Sequence, residues 1–199
     1  MTTGAQLEAP IDGRGFARAI CRALPGNTAC SACLYPLYMA VIELGATRIL
    51  ELGTQHGHSA AALLFGAKET GGFVVSCDPF ENPKTPAGLQ DLGQADRWCF
   101  VKMRSQDLGP HWQTTLDLIF VDSSHKAKQT AEELELFAPH VRVGGQIYLH
   151  DTVSYEAGVW EPVVEYVERK PRQWDAVNHT EVQHGLGIMT RKAAVNPAE

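Results

Sequence analysis

The residues best placed to do chemistry in this 199-residue chain are four carboxylates and a histidine. Glu51 stands near the end of the apolar run Ile49–Leu52. Asp78 closes Phe73–Cys77, Asp122 closes Leu116–Val121 and Asp151 closes Gln146–His150. Asp122 and Asp151 pose an electrostatic problem. Two carboxylates at adjacent strand ends repel unless a cation lies between them or one is protonated. Carboxylates and waters around an open octahedral position describe a Mg²⁺ site; the alternative is that both simply cap the segments that follow. His125 comes three positions after Asp122. An imidazole titrates near 6.5 and so can take a proton near neutrality. The alternative is a surface histidine at a helix start, beside Lys126 and Lys128.

Glu51 introduces the second group. Arg48 to Ser59 reads as a buried strand, a Gly53-x-x-x-Gly57 turn and a small-residue helix starting near Ser59. Glycine lets a ligand approach the backbone, and the helix start offers unpaired N–H groups. The spacing is not G-x-G-x-x-G, and no Gly-Lys-Ser/Thr follows. Glu51 would repel a phosphate, so the corner suits a ligand with a cationic end and a ribose better than a pyrophosphate. Asp78 lies 78 − 51 = 27 positions after Glu51, about one βα unit on. A carboxylate there can accept hydrogen bonds from ribose hydroxyls. Taken singly, Glu51 could equally be a capping carboxylate, and Asp78 a turn former before Pro79.

The elements that must position these groups alternate. Strands are expected near 48–52, 73–77, 99–103, 117–121, 145–149, 174–178 and 187–191, and helices near 58–68, 87–94, 126–138 and 162–170. Continuous apolar runs mark the first, second, fourth and fifth strands as buried on both faces, as in a parallel sheet. Pro162 fits a first helical turn, and Glu132-Glu133-Leu134-Glu135 reads as a solvated helix face. Upstream, residues 1–15 look loose. A helix is expected over 16–24, stopped by Pro25-Gly26, and another over 35–44, ended by Gly45. The chain closes strand, short loop, strand. If the sixth strand is parallel and the seventh antiparallel, the loop around His184 returns to the rim that carries the acids. The fold class is therefore α/β, a doubly wound, Rossmann-like seven-stranded sheet, mostly parallel with an antiparallel last strand. Its ligands should sit outside the carboxyl ends of the strands.

Two segments, Leu116–His125 and Val143–Asp151, carry "VD-x-x-H" and "GG-x-I-x-x-HD" patterns. With the glycine corner and Asp78 they resemble the class I S-adenosylmethionine (SAM) methyltransferases, and within these the small O-methyltransferases related to catechol, cephalosporin and macrolide-sugar methyltransferases. The resemblance covers roughly residues 35–192. It implies a SAM-binding domain over 46–192, a substrate cap formed by the tail and helices of 1–45, and a short tail over 193–199. It implies that Glu51, Gly53, Thr54, Gly57 and Ser59 hold the methionine portion and near side of the ribose. Asp78 would take the ribose hydroxyls, Ser105 and Gln106 would meet the adenine, and Asp122 would border the donor. In the resembling enzymes the Asp122/Asp151 pair, with one neighbour, binds a divalent metal that holds the substrate hydroxyl and lowers its pKa. A histidine at the spacing of His125 is the base, with Asp151 assisting. This chain departs from the pattern twice. Thr152 stands where the catechol type has Asn, and His150 where the antibiotic-tailoring type has Glu. With His150 as third ligand, Mg²⁺ remains the first expectation, while imidazole also admits Mn²⁺, Fe²⁺ or Zn²⁺. Tyr35, Tyr38, the loop 152–160 and the loop around His184 are candidate substrate walls.

Composition narrows the partners. A net charge of −6 gives no basic stripe for nucleic acid. No apolar run reaches the ~18 residues of a membrane span, and residues 1–8 show no signal-peptide pattern. Apolar content of 44% and charged content of 20% fit one globular domain. Five cysteines, an odd number, fit a reducing cytoplasm. Cys30 and Cys33 have CxxC spacing but no second compact ligand pair, and read as two thiols at a helix start. His56 and His58 read as shape and solvation residues of the glycine turn. The expected substrate is a small hydroxylated molecule, such as a sugar or natural-product intermediate; a homo-oligomer is left open. The rivals are a metal-independent O- or N-methyltransferase using His125 and Asp151, and a SAM-binding accessory protein without turnover. An NAD-linked oxidoreductase lacks its fingerprint.

Overall fold

A computed structural model describes residues 13–193 apart from Pro25 and Asn27. The expectations for residues 1–12, for Pro25 and for the tail beyond Ala193 lie outside the described residues. Seven strands form one sheet: β1 (Arg48–Leu52), β2 (Phe73–Cys77), β3 (Trp98–Val101), β4 (Leu116–Val121), β5 (Val141–His150), β6 (Trp174–His179) and β7 (Leu186–Arg191). Their order is β3-β2-β1-β4-β5-β7-β6. β1 to β5 pair in parallel, and β7 runs antiparallel between β5 and β6. The chain order reverses between β1 and β4, so the loops after those strands leave in opposite directions and open a crevice.

Seven α-helices cover the two faces: α1 (Gly13–Ala23), α2 (Leu34–Glu43), α3 (His58–Thr70), α4 (Thr85–Asp91), α5 (Ser105–Leu108), α6 (Ala127–Phe137) and α7 (Glu156–Arg169). On one side Phe16 and Ile20 of α1, Leu34, Leu37 and Val41 of α2, and Leu63 and Leu64 of α3 pack against Ile49, Leu118 and Phe120. On the other, Leu134 and Phe137 of α6 and Val159, Val163 and Tyr166 of α7 pack against Leu50, Ile119, Ile147 and Leu149. Successive strand side chains point to opposite faces. Burial of both is why β4 is apolar at every position except Asp117. That acid pins the sheet at the rim opposite the crevice. It accepts from the Thr47 and Arg48 amides at 3.0 and 2.9 Å and from Arg142 Nε at 2.7 Å.

Several elements depart from expectation for physical reasons. α1 begins at Gly13, so residues 13–15 are helical rather than loose. β5 starts at Val141, four residues early, because Leu116 pairs with it across a register irregularity. α7 begins at Glu156, which puts Pro162 inside the helix rather than in its first turn. Proline cannot donate to the carbonyl four residues back. That carbonyl, Gly158 O, instead accepts from the Thr130 hydroxyl of α6 at 2.8 Å, so the helix continues through a proline. Cys30 and Cys33, expected as two thiols, are joined as a disulfide. No helix among the described residues is long and apolar enough to cross a membrane.

Candidate active site

The carboxyl ends of β1, β2, β4 and β5 open into a cleft of about 870 Å³. The glycine corner forms one wall. Gly53 has φ +93°, and a Cβ there would lie 2.1 Å from Asp122 O, so only glycine lets the β1 and β4 loops meet. The Thr54 and Gln55 amides donate to Asp78 Oδ2 at 2.9 and 3.1 Å, and the Phe80 amide donates to Oδ1 at 2.8 Å. Asp78 therefore holds the shape of the glycine turn while lining the cleft. The turn-forming reading of this residue holds, and its carboxylate also lies on the cleft wall.

Glu51 lies beneath the corner, wholly buried. Burial pushes its carboxyl up to about 7, against the hydroxyls of Ser59, Ser76 and Thr54 beside it. Ser59 lines the cleft from the first turn of α3, whereas Gly57 precedes that helix with φ +84° and packs on Thr85. Ser105 and Gln106 line the far wall. Ser105 donates to Glu133 Oε1 at 2.5 Å, and Ser123 and Gln129 reach the same carboxylate at 2.9 and 3.0 Å. Glu133, read as part of a solvated face, is thus buried, with burial raising its pKa. Its position on α6 turns it inward while Glu135 meets Arg169 and Lys170 outside.

At the other end three side chains converge. His125 Nε2 lies 3.1 Å from Asp122 Oδ1 and 3.0 Å from Asp151 Oδ2. Ligand atoms of Asp122, His125 and Asp151 all fall within 4.8 Å of one another. Bonds to Asp122 and then Asp151 raise His125 to about 9, although burial opposes this. Burial likewise opposes ionisation of Asp122 and Asp151, yet His125 and the nearby His150 hold both below the usual carboxylate range. His150 sits behind them, 1% exposed, with Nδ1 3.5 Å from a carboxylate oxygen of each. Tyr155 stacks on His125 with centroids 4.6 Å apart and planes 11° from parallel.

The backbone here is unusual. His125 and Asp151 have φ of +53° and +62°, and Gln55 and His184 are also positive. Non-glycine residues rarely adopt this region, and such strain gathers at functional sites. The β6–β7 loop does return to the rim, where His184 Nδ1 lies 4.0 Å from Asp151 Oδ1. Tyr35 and Tyr38 do not line the cleft but pack on Phe16. His56 bonds Asn82 at 2.7 Å, and His58 is buried, its pKa lowered to about 4 by burial. Sequence reasoning missed Phe80, 81% exposed at the cleft lip, and Thr28, Ala29 and Cys30, which close one side. The only signal for Phe80 was an aromatic two residues after the ribose-type acid. Nothing local pointed to the other three.

Residues 50–152, just over half the chain, match the methyltransferase domain family. The chain belongs to that family. This methyltransferase shares its fold with solved structures over nearly its whole length. An O-methyltransferase from Bacillus cereus in complex with SAH is 20% identical, with 94% of each chain covered and a TM-score of 0.69. The SAH-bound Podospora anserina methyltransferase PaMTH1 is 16% identical, covering 95% of this chain and 91% of its own, at a TM-score of 0.72. The O-methyltransferase TomG from Streptomyces achromogenes, involved in tomaymycin synthesis and solved with SAM, is 18% identical, with 94% and 92% covered, at 0.66. The methyltransferase is an enzyme whose glycine corner and carboxylate group share one cleft.

Proposed function

We propose that this methyltransferase carries a methyl group from SAM to a hydroxyl oxygen of a small molecule, with a divalent cation between Asp122 and Asp151. The observation that carries the proposal is the convergence of Asp122, His125 and Asp151 at one end of the cleft whose other end is the glycine corner. Solved relatives hold SAM or SAH, and the chain's residues fit that ligand. Asp78 keeps acceptor capacity at the cleft, Gly53 and Thr54 line it, and Phe80 offers a ring at the lip. The carboxylate oxygens within 4.8 Å of each other suit one ion at the ~2.0–2.6 Å ligand distances of hard cations. When bound, SAM supplies a sulfonium methyl and the cation lowers the pKa of a hydroxyl.

The chain's own residues do the rest. Asp122 and Asp151 set the position of the acceptor. His125 Nε2 takes the hydroxyl proton from its neutral form, any proton held at Nε2 having first passed to solvent. Tyr155 keeps its ring in plane, and Thr28–Cys30 with the loop after β5 supply walls. A cleft of about 870 Å³ at the sheet rim and the acidic chain favour a small hydroxylated substrate. The reading predicts methyl transfer from labelled SAM to members of a hydroxylated-metabolite library, lost after chelation and restored by Mg²⁺ or Mn²⁺. His125→Ala should lower kcat about 10²–10⁴-fold with SAM affinity nearly unchanged. Binding of SAM without turnover of any hydroxyl would favour an accessory protein. One observation favours a second reading, metal-independent transfer: His125 already bridges the carboxylates, as a cation would. Full activity after chelation would select it.

A further inference from the structure

The CxxC pair is absorbed by none of this. Cys30 and Cys33 are 4% and 0% exposed, and Cys30 borders the cleft. Their sulfurs and a ring nitrogen of His150 all lie within 4.8 Å of one another. His150 comes from the end of β5, more than a hundred residues along the chain, so no local pattern could have supplied this third ligand. It is 1% exposed, and neither of its ring nitrogens has a hydrogen-bond partner among the described residues. A buried imidazole nitrogen without a partner is costly. Of the two nitrogens, Nδ1 faces Asp122 Oδ1 and Asp151 Oδ2 at 3.5 Å.

The structure assigns Cys30, Cys33 and His150 to a second site, one that takes a thiophilic divalent cation, Zn²⁺, once a thiol or phosphine reductant has delivered two electrons, and solvent two protons, to the disulfide. Two thiolates at C-x₂-C spacing and one imidazole are a zinc-type donor set, with ligand distances of about 2.3 Å to sulfur and 2.0–2.1 Å to nitrogen. A tetrahedral ion separates its ligand atoms by roughly 3.3–3.8 Å, so the sulfurs, now bonded to each other, part to that spacing on reduction, while a ring nitrogen of His150 is already within 4.8 Å of both. The arrangement also contains the usual outer partner. A metal-bound histidine donates its second N–H to a carboxylate, which fixes its tautomer; Nδ1, 3.5 Å from an oxygen of Asp122 and of Asp151, reaches that bond with a shift of a few tenths of an ångström. Each thiol loses its proton to solvent on ligation. In the disulfide the sulfurs lack thiolate character, so the oxidised chain has no such site. The bound ion would tie the segment before α2 to the end of β5 and hold His150 at the carboxylates of the active cleft. The inference does not depend on which methyl acceptor the enzyme uses.

Co²⁺, which reports thiolate ligation by near-ultraviolet charge transfer, tests this on the full chain. Phosphine-reduced, metal-stripped protein should bind one Co²⁺ with thiolate bands, and Zn²⁺ should displace it. The oxidised protein should show no such bands. Cys30→Ser with Cys33→Ser should abolish them. His150→Gln should weaken binding at least tenfold, and Asp122→Asn should leave the bands in place, which separates this site from the carboxylate one. Circular dichroism checks that each variant folds; if the cysteine variants do not, the reduced and oxidised wild types still decide the matter. The inference is overturned if the reduced chain shows no thiolate–cobalt bands or the oxidised chain shows equal ones. It also falls if the bands persist in the double variant, as they would from the exposed Cys99, or if His150→Gln binds as tightly as wild type.

Discussion

His125 is tied to two carboxylates, and the consequence for stability can be worked out. Its pKa rises from 6.5 to about 9 on folding. A group raised on folding contributes stability that is fully present below its unfolded pKa and is lost as pH climbs through the folded one. The contribution is thus complete below about 6.5, declines from there, and is gone above about 9. The interval corresponds to roughly 3 kcal/mol at 1.36 kcal/mol per pH unit. The His125 side chain is 25% exposed, so little of this is screened away, but it is one shared energy: the lowered pKa values of Asp122 and Asp151 report the same contacts and are not added. His150 titrates against the same carboxylates, so the informative quantity is the difference between wild type and His125→Gln. Urea unfolding in the presence of chelator should give a difference of about 2–3 kcal/mol at pH 6, shrinking toward zero by pH 9.5. A difference that stays constant across that range would mean that His125 contributes packing against Tyr155 rather than charge, and would refute the reasoning. With Mn²⁺ present the pH dependence should flatten, because the cation takes over between the carboxylates.

Further outcomes follow from individual contacts. Asp78→Ala removes the acceptor of three backbone amides as well as the proposed ribose partner, so calorimetry should show SAM binding weakened by at least about 1.5–3 kcal/mol. Asp151→Asn should lower kcat far more than it alters the Kd for SAM, measured by methyl transfer and calorimetry on the same preparation. Gly53→Ala places a carbon 2.1 Å from a backbone oxygen at positive φ, and should cost more than about 2 kcal/mol in a thermal melt. Thr130→Val leaves Gly158 O unpaired above Pro162 and should cost about 1–3 kcal/mol in urea unfolding, by the usual penalty for a buried unsatisfied acceptor.

The strands, the mostly parallel sheet and the rim were legible in the chain because their signals are local. Apolar runs of five or six residues buried on both faces, each closed by an acid or a glycine, can only be strands of a parallel sheet. Their ends must then lie on one side, so Glu51, Asp78, Asp122 and Asp151 could be assigned to one rim from spacing alone. Gly53 was legible because no other residue survives so close an approach. What the chain could not show was decided by contacts between segments far apart in sequence. Pro162 sits inside α7 only because Thr130, on another helix, satisfies the carbonyl it strands. Glu133 is buried only because Ser105 and Ser123 arrive beneath it from two other strand ends. His125 spans Asp122 and Asp151 through positive-φ backbone conformations that no propensity predicts, in a turn that leaves room only for a glycine at 158, where a Cβ would lie 2.0 Å from His125 O. Cys30 and Cys33, just before α2, meet His150 at the end of β5, more than a hundred residues along the chain. Periodicity encodes which face a residue presents; which partner waits on that face is set by how the layers close, and that exists only in three dimensions.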